Sequence, residues 1–198
     1  VSSIVLIDYN HNTPLYIIGD GVVTDGLVEY IQRETYSQVK AITKEEFLTL
    51  DADSQCIVGF WNFEYRKNFF SYALTYPRKW PIYIHKDAFV ADSAQMGRGT
   101  VIYPMASILN SAVINDFGLI GCNTHIGHRT NLGNNNILAP GTIIGGSTRT
   151  GNNIYYGMSS SVKDKLLVCD NVKFNMTSRV TKDVLEPGTY FNNRKLHD

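Results

Sequence analysis

From residue 84 to residue 174 an apolar residue returns at every sixth position: Ile84, Val90, Met96, Ile102, Ile108, Ile114, Ile120, Ile126, Leu132, Leu138, Ile144, then Tyr156, Val162, Val168 and Phe174, with Thr150 the only polar member. The chain is 43% hydrophobic, so chance would fill fewer than half of these positions. A second register runs beside the first. Four residues after each apolar position comes a small one: Ala88, Ala94, Thr100, Ala106, Ala112, Gly118, Thr124, Thr130, Thr142, Thr148, Ser160 and Ser178. Asn136, Ile154, Leu166 and Val172 break this second rule.

A period of six fits neither the 3.6-residue helix nor simple strand alternation over this length. It predicts a coil in which each side is one short strand and one turn, with three sides closing a triangular prism. The large apolar residue fills a corner of the core, and the small one sits where the walls come close. Glycine often follows the apolar residue, as at Gly121, Gly127, Gly133, Gly145 and Gly157, and is expected to ease the bend there. Successive coils pair strand on strand, each burying its neighbour's edge. The run predicts a little over five coils.

The first 80 residues carry a different rhythm. Residues 4–8, 15–19, 38–42 and 55–60 read as strands, and residues 22–33 as a helix. Thr43-Lys44-Glu45-Glu46 is a capping box that opens a short helix to about Leu50. Asn62 caps a helix to about Tyr76, with Phe63, Phe70, Ala73 and Leu74 on its apolar face. Strands alternating with helices predict a small α/β domain with a parallel, Rossmann-like sheet. Pro77 and Pro81 end the helix and mark a joint. The expected division is residues 1–80, residues 81–184 for the prism, and a tail at 185–198.

Composition narrows the function classes. With 18 basic and 18 acidic residues the chain has no nucleic-acid or membrane footprint. No apolar run approaches the ~18 residues of a membrane span. Three scattered cysteines, Cys56, Cys122 and Cys169, point to reduced thiols and, with no legible secretory leader, to a cytoplasmic location. Each is better read as a small buried hydrophobe than as a reactive group.

Two places carry candidate chemistry. Gly19-Asp20-Gly21 falls between a strand and a helix, where parallel α/β units bind ligands, and Asp20 suits a sugar or base hydroxyl better than a phosphate. His125 and His128 flank one turn of the prism, with Ile126 pointing inward. His128 is expected on or beside the outer wall, either as a general base or as a histidine at a subunit contact. A zinc site of three converging histidines does not match this spacing, and no metal is expected.

At these residues the sequence resembles the hexapeptide-repeat sugar acyltransferases of the sialic acid O-acetyltransferase and bacillosamine or perosamine N-acetyltransferase type. The resemblance rests on Ile126-Gly127-His128, on Leu138-Ala139-Pro140-Gly141 with Ile144-Gly145-Gly146, and on residues 58–67. Val180-Thr181-Lys182-Asp183-Val184 followed by Pro187-Gly188-Thr189 completes it. It implies a mixed fold, an N-terminal α/β domain followed by a C-terminal left-handed parallel β-helix, assembled as a homotrimer. It also implies an acetyltransferase that uses acetyl-CoA to acylate an amino or hydroxyl group of a nucleotide-linked sugar, in polysaccharide or glycan synthesis. His128 would be the catalytic base. Gly146, Gly157, Met158 and Met176 would hold acyl-CoA, and Gly19, Asp20, Gly21, Asn123 and His125 the acceptor. Arg129 stands where that family has an acidic residue and Ile137 where it has a second histidine. A non-catalytic trimeric binding or scaffold protein on the same fold is therefore the alternative.

Overall fold

The computed structural model describes residues 5–19, 21–35 and 38–196. They fall into two compact units, within Val1–Lys86 and Asp87–Asp198.

The first unit contains β1 (Val5–Ile7), β2 (Leu15–Ile18), α1 (Val22–Thr35), β3 (Val39–Ile42), α2 (Lys44–Leu48), β4 (Gln55–Val58), α3 (Phe63–Ala73) and β5 (Ile82–Ile84). β2 lies between β3 and β4 in a three-stranded parallel sheet. β1 is outside that sheet and pairs antiparallel with β5, Val5 opposite Ile84. The sheet is buried through Leu15, Ile17 and Ile18 on β2 and through Cys56, Ile57 and Val58 on β4. The capping box at Thr43 forms as its sequence predicts: Thr43 Oγ1 accepts from the Glu46 amide and Glu46 Oε2 accepts from the Thr43 amide. Asn62 Oδ1 caps α3 by accepting from the Tyr65 amide at 2.9 Å. The buried face of α3 is Arg66, Phe69, Phe70 and Ala73, while Leu74 is exposed. The expected face was displaced toward the helix end, because Arg66 turns inward and donates from Nη1 to the Val58 carbonyl.

The second unit is a parallel β-solenoid with three walls. Wall one stacks Phe89–Val90, Ser107–Ile108, His125–Ile126, Ile143–Ile144, Ser161–Val162 and Arg179–Val180. Wall two stacks Gln95–Met96, Val113–Ile114, Asn131–Leu132, Arg149–Thr150 and Leu167–Val168. Wall three includes Val101–Ile102, Leu119–Ile120, Ile137–Leu138, Ile154–Tyr156 and Val172–Phe174. Every coil is in register with the next, so His125 faces Ser107 on one side and Ile143 on the other, each 18 residues away. Wall one carries six strands, slightly more than the coil number expected from the repeat.

Both sequence registers point inward. Ile102, Ile108, Ile120, Ile126, Leu132, Leu138 and Ile144 are fully buried, and so are Thr100, Thr130, Thr142, Thr148 and Ser178. The departures from the two registers answer each other. Asn136 Nδ2 donates to Thr150 Oγ1 at 2.9 Å and to the Gly151 carbonyl, while its Oδ1 accepts from the Ile154 amide. A buried asparagine at a small-residue position thus meets the threonine at an apolar position, and neither polar group is stranded. Near the end the core widens: Tyr156 stacks on Phe174 with ring centroids 5.3 Å apart. Burial pushes the Tyr156 phenol upward, and the Thr150 side chain works against that shift.

The corners correct one expectation. The residue three after each apolar position has positive φ without a break from Gly99 to Thr177, through Met105, Phe117, Asn123, Arg129, Asn135, Ser147 and Lys165 among others. Most are not glycine, although this region costs L-residues about 1–2 kcal/mol each. The glycine directly after the apolar residue has a different duty, which is close approach of coils. A Cβ on Gly133 would lie 2.2 Å from the Gly151 carbonyl oxygen, and one on Gly157 would lie 2.4 Å from the Met176 amide nitrogen. Gly188–Phe191 adds to wall three in parallel, and Arg194–Lys195 folds back on it antiparallel.

Two outcomes follow for stability. Gly133→Ala should destabilise by about 1–3 kcal/mol through overpacking, while Lys165→Gly, at a corner with φ 62°, should hold or raise stability; urea unfolding distinguishes them. Burial also lifts the Cys56 thiol from 9.0 to about 12. Its folded pKa lies above the unfolded one, so that contribution is intact below about pH 9 and is lost as pH rises toward 12. Cys56→Ala should remove part of the alkaline loss of stability, read from melting temperatures across that window.

Candidate functional site

The three edges of the prism differ in what they do with their backbone amides. Between walls two and three the edge carries Asp116, Asn134, Asn152 and Asp170. The Asp116 amide donates to Asn134 Oδ1, the Asn134 amide to Asn152 Oδ1 and the Asn152 amide to Asp170 Oδ1, at 2.8–3.0 Å. Arg98 Nε closes the ladder at its start on Asp116. That edge is self-satisfied and has little left to offer a ligand.

The other two edges are open, and they border wall one. The edge between walls one and two carries Asn110, His128, Gly146 and Asp164. The edge between walls three and one carries Pro104, Cys122, Pro140, Met158 and Met176. The amides of His128, Gly146, Met158 and Met176 donate no hydrogen bond among the described residues. Pro104 and Pro140 occupy equivalent positions, where an amide would have no partner. Met158 and Met176 are about half exposed. The four residues expected to hold acyl-CoA thus do not share one edge. Gly146 is on one side of wall one, and Met158 and Met176 are on the other. Gly157 is buried and serves coil packing against Met176.

His128 is exposed at its corner. Its imidazole lies against bare Gly146: a Cβ there would come 2.8 Å from Nε2, 2.9 Å from Cε1 and 3.1 Å from Cδ2. The main chain holds the turn, with the Ser147 amide donating to the His128 carbonyl at 2.8 Å and the Arg129 amide to the Asn110 carbonyl at 3.0 Å. Arg129 is an exposed corner residue with φ 55°. His125 is half-buried on the outward face of wall one, and its Nδ1 shares a hydrogen bond with Ser107 Oγ at 2.8 Å. Asn123 is the exposed corner residue on the Met158 side of wall one, with φ 56°. The structure therefore gathers Asn123, His125 and His128 around one wall. Ser107 was missed in the sequence. Its distance of three hexads from His125 is the signal that would have placed it beside the ring.

Gly19 and Gly21 belong to the first unit, at the carboxyl end of β2, with φ of 148° and 85°. Asp20 lies outside the described residues. A Cβ on Gly19 would come 2.5 Å from Thr24 Oγ1. At this end of the sheet a cleft of about 590 Å³ is lined by Val23, Thr24, Phe60, Trp61, Asn62 and Tyr65. Thr24 is fully buried, and its hydroxyl has no hydrogen-bond partner among the described residues. A groove at the strand ends beside a helix N-terminus, lined by aromatic rings, suits a ligand with a flat ring and polar substituents.

No protein-family profile matches the chain, and no curated protein matches it in sequence. Solved structures do. The acetyltransferase domain of PglB from Neisseria gonorrhoeae is similar at 22% identity and a TM-score of 0.82, over 91% of this chain and 96% of that one. PerB from Caulobacter crescentus, in complex with CoA and GDP-perosamine, is similar at 18% identity and a TM-score of 0.80, over 89% and 93%. WeeI from Acinetobacter baumannii is similar at 16% identity and a TM-score of 0.83, over 93% and 100%. At these identities the likeness defines the class of fold: the chain shares the architecture of bacterial acetyltransferases. Among the described residues no helix is long and apolar enough to cross a membrane. No group of three or more His, Cys, Asp or Glu side chains could hold a metal ion among them.

Gly146→Ala tests the His128 seat. The new methyl group meets the far end of a side chain, so the fold should keep its melting temperature while the imidazole moves, read as a shift of the His128 ring resonances.

Proposed function

We propose that the chain is an acetyl-CoA-dependent acyltransferase that modifies an amino or hydroxyl group of a nucleotide-linked sugar. The observation that carries this reading is the exposed His128 ring seated on Gly146, beside free main-chain donors, on a fold shared with acetyltransferases. The related structures of PglB with acetyl coenzyme A and of PerB with CoA and GDP-perosamine support the substrate classes. The solenoid is read as the left-handed β-helix of residues 81–184. The parallel α/β unit of residues 1–80 is read as a Rossmann-like domain for the nucleotide, and residues 185–198 as the tail.

In this mechanism His128 removes a proton from the acceptor nitrogen or oxygen as that atom attacks the thioester carbonyl. The tetrahedral intermediate places negative charge on the former carbonyl oxygen, where the free Gly146 amide is a fitting donor. Collapse breaks the carbon–sulfur bond, and the thiolate takes the proton back from His128. The Met158 and Met176 amides across wall one hydrogen-bond the pantetheine arm. Gly19, Gly21 and the cleft beyond them take the nucleotide, and Asn123 the sugar. Because the acyl-CoA residues bracket an outward wall, a neighbouring subunit is needed to cover it, and the assembly is a homotrimer.

Titration calorimetry with acetyl-CoA should show saturable micromolar binding, about one per chain. His128→Ala should keep that binding and lose transfer by about 10²–10⁴-fold, the usual worth of a general base. A protein that binds no acetyl-CoA at millimolar concentration fits the scaffold reading, which the lack of any ring partner for His128 among the described residues favours. Light scattering at micromolar protein should give three times the chain mass; a monomer rejects the trimer.

A further inference from the structure

The outward face of wall one holds a polar pair that neither the hexad pattern nor the proposed base explains. Ser107 and His125 are register partners on adjacent coils, and their side chains meet at 2.8 Å between Oγ and Nδ1. The residues that continue the same outward column are apolar. Phe89 precedes the pair and Ile143 follows it, both at least half exposed. The pair is thus a single polar island in an apolar strip. A surface histidine with no task has no need of a hydroxyl on the coil beneath it.

The bond settles what the ring can do. When Ser107 Oγ–H donates to Nδ1, the neutral imidazole must carry its proton on Nε2, and Nε2–H becomes a donor. The two edges that bracket wall one carry His128 with Gly146 and Met158 with Met176, so a molecule reaching from one edge to the other passes over this column. His125 lies three residues from His128, within roughly 10 Å of chain. We propose that His125 is a second catalytic imidazole, which donates from Nε2 to the carbonyl oxygen of the bound thioester, and that Ser107 is its positioning residue. This rests on the acyl-CoA reading above. His128 and His125 then divide the work: one accepts a proton from the nucleophile, and the other stabilises the oxyanion that the attack creates. Phe89 and Ile143 keep water from the second ring once the wall is covered, which strengthens its hydrogen bond.

The test uses the full chain labelled with ¹⁵N at histidine and at the backbone, and two probes, acetyl-CoA and CoA, which differ in the thioester carbonyl. The free protein should show His125 as the Nε2–H tautomer. Ser107→Ala should mix the tautomers without lowering the melting temperature. Both probes should shift the Gly146 amide, and acetyl-CoA alone should shift His125 Nε2. If both probes shift Gly146 but His125 responds to neither, or equally to both, the carbonyl contact is wrong and the acyl-CoA reading stands. If neither probe shifts any resonance, the acyl-CoA reading fails and this inference falls with it. A free protein with His125 protonated on Nδ1 overturns the role given to Ser107.

Discussion

The in-register stacking of 18-residue coils is the constraint on which the solenoid depends. Strands of two or three residues cannot persist alone, and each is held by main-chain bonds to the coils on either side. Keeping that register requires every side to be six residues long and every corner to turn in the same way. The unbroken run of positive-φ corners is the local cost, and the paired backbone together with the buried aliphatic column offsets it. A single insertion within a hexad would move one apolar residue outward and one corner into a wall.

The same constraint creates the site. At each corner one amide faces outward, beyond the reach of the next coil's carbonyl. Where asparagine or aspartate stands at that position the amide of the preceding coil is capped, as along Asp116, Asn134, Asn152 and Asp170. Where histidine, glycine, methionine or proline stands there, it is not. Function is thus written into the choice of side chain at one repeat position, while the backbone geometry stays constant. Gly146 shows how narrow that choice is, since its missing Cβ is the space occupied by the His128 ring.

Polar residues inside the prism follow the same economy. Asn136 and Thr150 are each out of place in their own register and correct for one another across adjacent coils. Removing either leaves buried polar atoms unpaired, at about 1–3 kcal/mol. The chain therefore tolerates pairs of departures where it would not tolerate single ones.

The sequence by itself determined the solenoid, because a six-residue period has one physical solution and the core reads it directly. It also determined the capping box at Thr43 and the Asn62 cap, which depend only on neighbours within one helical turn. The tertiary structure decided what lies 18 residues apart or on different walls: the Ser107–His125 pair, the seat of His128 on Gly146, and the separation of Gly146 from Met158 and Met176 across wall one. It also placed β1 against β5 and turned Arg66 inward on α3, where helical periodicity alone favoured Leu74. Local patterns carry the period, and the period carries the fold. Contacts between coils depend on which side chains the register brings face to face, and no short window of sequence contains both members of such a pair.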